Sequence, residues 1–83
     1  MELKVFSIFD SKSSCYKQPF FARATGEGVR IFEDIANMTN ENNQVNLHPE
    51  DFILYEIGIY DDSTGNIEPV QHVTLGKAIE FIK

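Results

Sequence analysis

The apolar positions at the start of the chain follow a strand pattern. Residues 3–9 alternate imperfectly between apolar and polar side chains and place apolar groups on both faces, which is typical of a strand in the middle of a sheet. The polar residues 10–14 that follow have turn chemistry. Residues 16–24 are expected to be extended because Gln18 precedes Pro19 and is thereby disfavoured in a helix. This second segment is either a strand or an ordered loop.

Helical spacing begins near residue 25. Thr25 is the predicted N-cap of this main helix, and the Asn-rich residues 40–43 are its predicted stop. The apolar stripe is wide enough to pack on a sheet because two sets of side chains recur at helical spacing. These sets are Val29, Phe32 and Ala36, and Ile31, Ile35 and Met38.

The second half of the chain predicts a short helical turn and then a β-hairpin. Residues 48–51 fit a turn with Pro49 in its first position, where no N–H is needed. Residues 61–65 fit a hairpin loop in which Gly65 adopts a positive φ. The strand before this loop, residues 52–60, has a mostly buried pattern. Simple alternation puts Ile53, Tyr55, Ile57 and Ile59 on one face and Phe52, Leu54, Glu56, Gly58 and Tyr60 on the other.

The partner strand of the hairpin is predicted over residues 66–70. Pro69 cannot donate a backbone hydrogen bond, so this strand is expected at an edge. Thr74 is expected to cap a short C-terminal helix over residues 75–82. The chain therefore predicts one α+β domain over residues 1–83. Its sheet is small and mainly antiparallel, with three to four strands packed against one main helix and the short C-terminal helix.

Composition fits a small globular protein of a reducing compartment. The chain has 83 residues, of which 42% are hydrophobic, and this is enough to form a packed core. A domain of this size has modest stability, which dimerisation would raise. Cys15 is the only cysteine, which excludes an intramolecular disulfide. The N-terminus lacks the pattern of a signal peptide, and no apolar run approaches the roughly 20 residues of a membrane span. We therefore expect a cytosolic protein that is neither secreted nor embedded in a membrane.

The net charge of −6 argues against simple coating of DNA, because phosphate binding depends on Lys and Arg. The charge is unevenly distributed. Residues 1–32 carry five basic and three acidic side chains, whereas residues 33–83 carry two basic and ten acidic ones. The surface is polarised if the fold keeps these halves on different faces.

No pattern in the chain indicates a catalytic or cofactor site. The two histidines and the cysteine are too far apart for a zinc-ligand spacing. The acidic loop 61–65 lacks the length and terminal Glu of an EF-hand loop, and residues 26–28 fail the glycine-rich phosphate pattern at Ile31. Nothing near Cys15 favours an activated thiolate. We therefore expect no enzymatic activity, no cofactor and no metal.

One stretch, residues 12–23, interleaves basic and aromatic side chains. Proteins that bind single-stranded DNA use this combination because cations follow the backbone while aromatic rings stack on bases. Tyr16 is the better stacking candidate because its neighbours are polar, whereas Phe20 and Phe21 also fit a core or a dimer interface. With one cation from the main helix, the candidate DNA-binding residues are Lys12, Tyr16, Lys17, Phe21, Arg23 and Arg30.

Five segments of the chain together resemble the small nonstructural protein of gokushoviruses, which is often described as DNA-binding or likened to nonstructural protein C. Gokushoviruses are bacteriophages of the Microviridae with single-stranded DNA genomes. The segments cover nearly the full chain, and their order and spacing make the resemblance specific. They are residues 4–12, 19–21, 48–52, 58–65 and 75–79.

The resemblance implies a role in phage DNA replication within the host cell cytoplasm. That role is the switch from duplex replication to single-strand synthesis, or delivery of the genome for packaging. The resemblance supplies no catalytic residues.

Two functional hypotheses follow. The first is a non-enzymatic phage protein that binds single-stranded DNA through residues 12–30, as a homodimer or higher oligomer whose multivalency strengthens weak sites. It requires Lys12, Lys17, Arg23 and Arg30 to converge. The alternative is an acidic interaction module that binds a host replication protein or a phage structural protein without contacting DNA.

Overall fold

A computed structural model describes residues 1–83 and shows an antiparallel sheet covered on one side by a helix. The elements are β1 (Glu2–Asp10), β2 (Cys15–Tyr16), β3 (Phe20–Ala22), α1 (Thr25–Asn37), α2 (Gln44–Leu47), β4 (Phe52–Asp61) and β5 (Asn66–Lys77), with 3₁₀ turns at Pro49–Asp51 and Ala78–Phe81. The strand order is β2-β1-β4-β5, and β3 also pairs with β1. This architecture confirms the α+β class, with five strands where three to four were expected.

The hydrophobic core lies between the sheet and α1. Phe32 of α1, Phe6 of β1 and Leu54 of β4 are fully buried there. Gly28 lets the helix approach closely, because a Cβ atom at this position would lie 2.5 Å from the Phe6 ring. The helical spacing predicted for residues 29–36 therefore identified the correct face of α1.

The ends of α1 differ from the prediction. Thr25 is not the N-cap; Ala24 occupies that position, and the Thr25 hydroxyl donates a hydrogen bond of 2.8 Å to Glu56 of β4. The helix ends at Asn37, and Met38, predicted on its apolar stripe, is outside it and 56% exposed. Asn43 Nδ2 donates to the carbonyl oxygens of Ile35 and Met38. This side chain thus joins the Met38 N–H, which also donates to the Ile35 carbonyl, in holding the end of the helix.

The segment between α1 and β4 contains one helix that the sequence did not predict. The four residues of α2 bury Val45 against the core, but they are too few to show helical periodicity. The predicted helical turn that follows is confirmed as the 3₁₀ turn Pro49–Asp51.

The β4–β5 hairpin is confirmed, and Gly65 has the expected positive φ of 78°. Its second strand is much longer than the predicted residues 66–70, because pairing with β4 continues to Lys77. The predicted Thr74 cap is wrong, and the short C-terminal helix, predicted over residues 75–82, is the 3₁₀ helix Ala78–Phe81, which begins later. Gly76 adopts a φ of +138°, which a helix cannot contain, and only a 3₁₀ turn follows it. As Pro69 predicted, β5 lies at the edge of the sheet.

A bulge in β4 corrects the predicted alternation of its side chains. Ile57 has no partner in the register of either neighbouring strand. Tyr55 pairs with Ser7 and Tyr60 pairs with Leu3, so both tyrosines lie on the same face of the sheet. Strict alternation had placed them on opposite faces.

Residues 16–24, which were left open between strand and loop, form the short strands β2 and β3 with a connection between them. Both strands pair with β1. Neither helix has the length and apolar character needed to cross a bilayer.

Candidate nucleic-acid interface

The side of the sheet that faces away from α1 is lined with aromatic rings, and we call it the aromatic face. Phe6 and Ile8 of β1 belong to the core beneath α1, so the alternate residues of β1 point to the opposite side. Val5 fits this assignment, because it is buried but does not belong to the core cluster. The cross-strand register assigns to this face Leu3, Val5, Ser7, Phe9, Tyr16, Phe21, Ile53, Tyr55, Gly58, Tyr60, Ile67, Pro69, Thr74 and Lys77.

Four rings form a cluster at one end of the aromatic face, and we call it the four-ring cluster. Tyr16 lies at its centre, with ring centroids 4.7 Å from Phe9, 5.9 Å from Tyr55 and 5.6 Å from His72. The Tyr16 hydroxyl and His72 Nδ1 are 3.2 Å apart, within hydrogen-bonding distance. Tyr16 is nevertheless 46% exposed. Its neighbours therefore fix the ring while leaving much of it open to solvent.

A second pair of rings, the two-ring cluster, lies further along the same face. Phe21 of β3 and Tyr60 of β4 have ring centroids 5.3 Å apart and pack edge to face. Phe21 is 41% exposed. Between the two clusters the surface is formed by small buried residues, Val5 and Ser7. All three tyrosines of the chain, at positions 16, 55 and 60, thus lie on the aromatic face.

No acidic residue occupies a paired position of the aromatic face, although the chain has 13 of them. Asp62, just beyond the end of β4, is paired with the Met1 amine at 2.8 Å. Glu56 lies on the α1 side, where it accepts hydrogen bonds from Thr25 and, at 3.3 Å, from Lys4. Glu2 and Glu68 lie on that side too, since Glu2 alternates with Leu3, and Glu68 pairs with Ile59. The net charge of −6 is therefore a property of the other surfaces.

A group of acidic residues lies around the β4–β5 loop. Glu2, Asp61 and Glu68 line one shallow surface cavity there. The Ser63 hydroxyl donates a hydrogen bond of 2.6 Å to Asp61, and its backbone N–H donates another of 2.9 Å. These hydrogen bonds lower the pKa of Asp61 below its ordinary value of 3.8. This end of the hairpin stays negatively charged at neutral pH.

Two of the predicted cations, Lys12 and Lys17, lie away from the aromatic face. Lys17 Nζ is 5.5 Å from the centre of the Phe52 ring, which belongs to the core on the α1 side. Lys12 lies in the turn after β1 and lines a cleft with Asp51 and His48. The positions of both lysines are therefore explained by their neighbours within the domain, away from the aromatic face.

Arg23 and Arg30 also lie apart from one another. Arg30 is exposed on α1, across the sheet from the aromatic face. Arg23 is one residue beyond β3, at the border of the aromatic face beside the two-ring cluster. Its backbone N–H donates to Glu27. The structure therefore does not form the convergent group of four cations that the sequence hypothesis required, whereas it brings Tyr16 and Phe21 to one face.

Sequence reasoning missed four residues of this face: Phe9, Tyr55, Tyr60 and His72. A hairpin through the turn at residues 11–14 would have placed Tyr16 opposite Phe9, as the register shows. The other three depend on the Ile57 bulge and on the full length of β5. Neither feature has a signal in the local sequence pattern.

One group of side chains of metal-binding type occurs elsewhere. His48, Glu50 and Asp51 place potential ligand atoms within 4.8 Å of one another on the 3₁₀ turn before β4. His48 and Glu50 are exposed. Exposed polar side chains on a short turn have this proximity without binding an ion, so the group does not define a metal site.

Comparison with known proteins finds matches over nearly the whole chain. A family described as Phage ORF5 protein matches residues 3–81. Protein ORF5 of Chlamydia phage 1 is 31% identical over 86 residues, which cover 98% of this chain and 88% of that protein. No solved structure matches. These matches confirm the resemblance to a small nonstructural protein of gokushoviruses.

Proposed function

Because the chain belongs to the Phage ORF5 protein family, we propose that it is a non-enzymatic phage protein that binds single-stranded DNA on its aromatic face. In this role it assists viral DNA replication, the switch to single-strand synthesis, or packaging. The observation that carries the proposal is the combination of half-exposed rings with the absence of acidic residues from the paired positions of one face. The residues we assign to the site are Tyr16, Phe21 and Arg23 from the sequence, together with Phe9, Tyr55, Tyr60 and His72.

Stacking provides the attraction in this proposal. Each base stacked on an aromatic side chain contributes about 1–3 kcal/mol, whatever its sequence. Tyr16 and Phe21 are held on paired strands by neighbouring rings, so little side-chain freedom is lost when a base binds. A sheet that presents rings in this way is suited to a ligand whose bases are unpaired.

Electrostatics permit this binding mode despite the acidic chain. Phosphates of a strand on the aromatic face meet no carboxylate of that face, and two exposed cations border it. Arg23 lies beside the two-ring cluster, and Lys77 pairs with Ile53 next to the four-ring cluster. Two cations per chain give weak, salt-sensitive binding. A homodimer or higher oligomer would strengthen it by multivalency.

The acidic hairpin end supports a second candidate function. Glu2, Asp61 and Glu68 lie close together there and form a negatively charged surface. Such a surface suits a basic partner protein, from the host replication machinery or from the phage particle. This candidate needs no contact between the aromatic face and DNA.

Fluorescence anisotropy of a labelled oligonucleotide tests the proposal. We expect saturable binding of single-stranded DNA at low salt, weaker binding at physiological salt, and much weaker binding of the matching duplex. Tyr16→Ala combined with Phe21→Ala should lower the affinity by at least about tenfold. Leu47→Ala is the matched control, because Leu47 is similarly exposed, at 48%, and lies on α2 instead of the sheet.

Two results would count against DNA binding on this face. Equal affinity of the double variant and the Leu47→Ala control would place any DNA contact elsewhere. No binding at low salt would favour the protein-interaction candidate, for which Asp61→Asn combined with Glu68→Gln should weaken partner capture.

A further inference from the structure

We infer that the four-ring and two-ring clusters are two separate stacking sites for one strand, which runs along β1 and occupies both only when it is several nucleotides long. This inference rests on the proposed function and adds to it the length and path of the ligand.

The register gives the separation of the two sites. Tyr16 pairs with Phe9 and Tyr55 with Ser7, so the four-ring cluster is centred near residue 8 of β1. Phe21 pairs with Val5 and Tyr60 with Leu3, so the two-ring cluster is centred near residue 4. Four residues of a strand span about 13 Å at roughly 3.3 Å per residue.

The surface between the clusters cannot stack a base. No ring of one cluster contacts a ring of the other. The intervening positions of β1 are Val5 and Ser7, both buried, and the Ser7 hydroxyl is already bonded to the carbonyl oxygen of Lys17 at 2.7 Å. A strand that crosses this gap is therefore held at its two ends.

The separation sets the shortest ligand that reaches both sites. A nucleic acid strand with stacked bases rises about 3.4 Å per nucleotide, so 13 Å corresponds to about four steps. Fewer steps suffice where the backbone is stretched. The shortest strand that occupies both clusters is therefore about three to five nucleotides long, and a duplex is excluded because its bases already stack within the helix.

Oligonucleotides with two thymines in an otherwise abasic strand of constant length provide the test. Only the number of abasic positions between the thymines changes, so the phosphate charge is constant. Affinity should reach a maximum at a spacing of roughly two to four steps and exceed that of a single-thymine strand by about tenfold or more, because the second contact is intramolecular. Adjacent thymines and widely separated thymines should bind like the single-thymine strand.

Protein variants separate this inference from the proposed function. Phe21→Leu combined with Tyr60→Leu should abolish the spacing maximum, so that the best-spaced two-thymine strand binds no more tightly than a strand with one thymine. If oligothymidine binds on the aromatic face but affinity does not depend on spacing, the two-site inference is wrong and the proposed function stands. If oligothymidine does not bind at all, the proposed function itself fails.

Discussion

The two faces of the sheet use apolar residues in different ways. On the α1 side, Phe6, Phe32 and Leu54 are fully buried, and the helix accounts for their burial. On the aromatic face, Tyr16 and Phe21 remain nearly half exposed and no element of the chain covers them. The same strands therefore supply a core on one side and an open surface on the other. Packing explains the first set of side chains but not the second.

The largest difference between the faces should appear when a phenylalanine is removed from each. Phe32→Ala should lower the free energy of unfolding by about 3–5 kcal/mol, because it leaves a cavity in the core. Phe21→Ala should lower it by about 1 kcal/mol or less, because the ring is exposed and loses mainly its contact with Tyr60. Urea denaturation followed by circular dichroism measures both values. Equal losses would show that the two faces are packed alike.

Adding a methyl group between α1 and the sheet should have the next largest effect. Gly28→Ala places a Cβ atom 2.5–2.7 Å from the Phe6 ring, so α1 must shift, at a cost of about 1–3 kcal/mol. Gly26→Ala is the matched control, because nothing lies within 4 Å of the added atom. Chemical denaturation of the two variants should give a clear loss for Gly28→Ala only. A neutral Gly28→Ala would contradict the close helix–sheet contact.

Charge reversal should affect DNA binding differently on the two sides of the sheet. Arg23→Glu puts an acid at the border of the aromatic face and should weaken single-stranded DNA binding and reduce its salt dependence by about one ion. Lys17→Glu changes the net charge equally, but Lys17 packs over Phe52 on the α1 side, so it should have the smaller effect. Anisotropy titrations over a range of salt concentrations measure both slopes. Equal effects would mean that overall charge, and not the aromatic face, governs binding.

The faces also differ in how much of each the sequence could predict. The helical spacing of Val29, Phe32 and Ala36 identified the buried side of α1, and Pro69 and Gly65 located the edge strand and its turn. These signals are local, since each depends on a few neighbouring residues.

The aromatic face depends on long-range pairing that leaves no local signal. The Ile57 bulge brings Tyr55 and Tyr60 to one face, and Gly76 lets β5 continue where a helix was expected. Tyr16 and Phe21 were candidates from composition alone, but only the register shows that they share a face. The cations between Lys12 and Arg30 do not converge as predicted for the same reason, because residues that are close in sequence need not be close on the surface.

The smallest expected effects come from exposed charged groups at the hairpin end. The Ser63 hydrogen bonds lower the pKa of Asp61 in the folded protein. Their contribution to stability is therefore present above the pKa of the unfolded chain, about 4, and is lost as the pH falls through the lower pKa of the folded protein. The hydrogen bond from the Met1 amine to Asp62 raises the pKa of that amine. The stability that this hydrogen bond contributes is present below pH 8.0, the ordinary pKa of the amine. It is lost as the pH rises through the raised pKa of the amine in the folded protein.

Two variants test these signs by urea denaturation across pH. Asp61→Asn should be slightly destabilising at neutral pH and no longer so in strong acid. Asp62→Asn should be slightly destabilising at neutral pH and approach the parent protein at alkaline pH. If the free energy of unfolding differs between each variant and the parent protein by the same amount at every pH, these groups titrate alike in the folded and unfolded states.

Intrinsic tyrosine fluorescence tests whether bases stack on the aromatic face. The chain has no tryptophan, and its three tyrosines all lie on the aromatic face, so the emission reports on that face alone. Stacking of bases on these rings predicts saturable quenching by unlabelled oligothymidine, with the same midpoint as anisotropy and little quenching by duplex DNA. Binding detected by anisotropy without any change in tyrosine emission would show that the DNA lies elsewhere and would contradict stacking on the aromatic face.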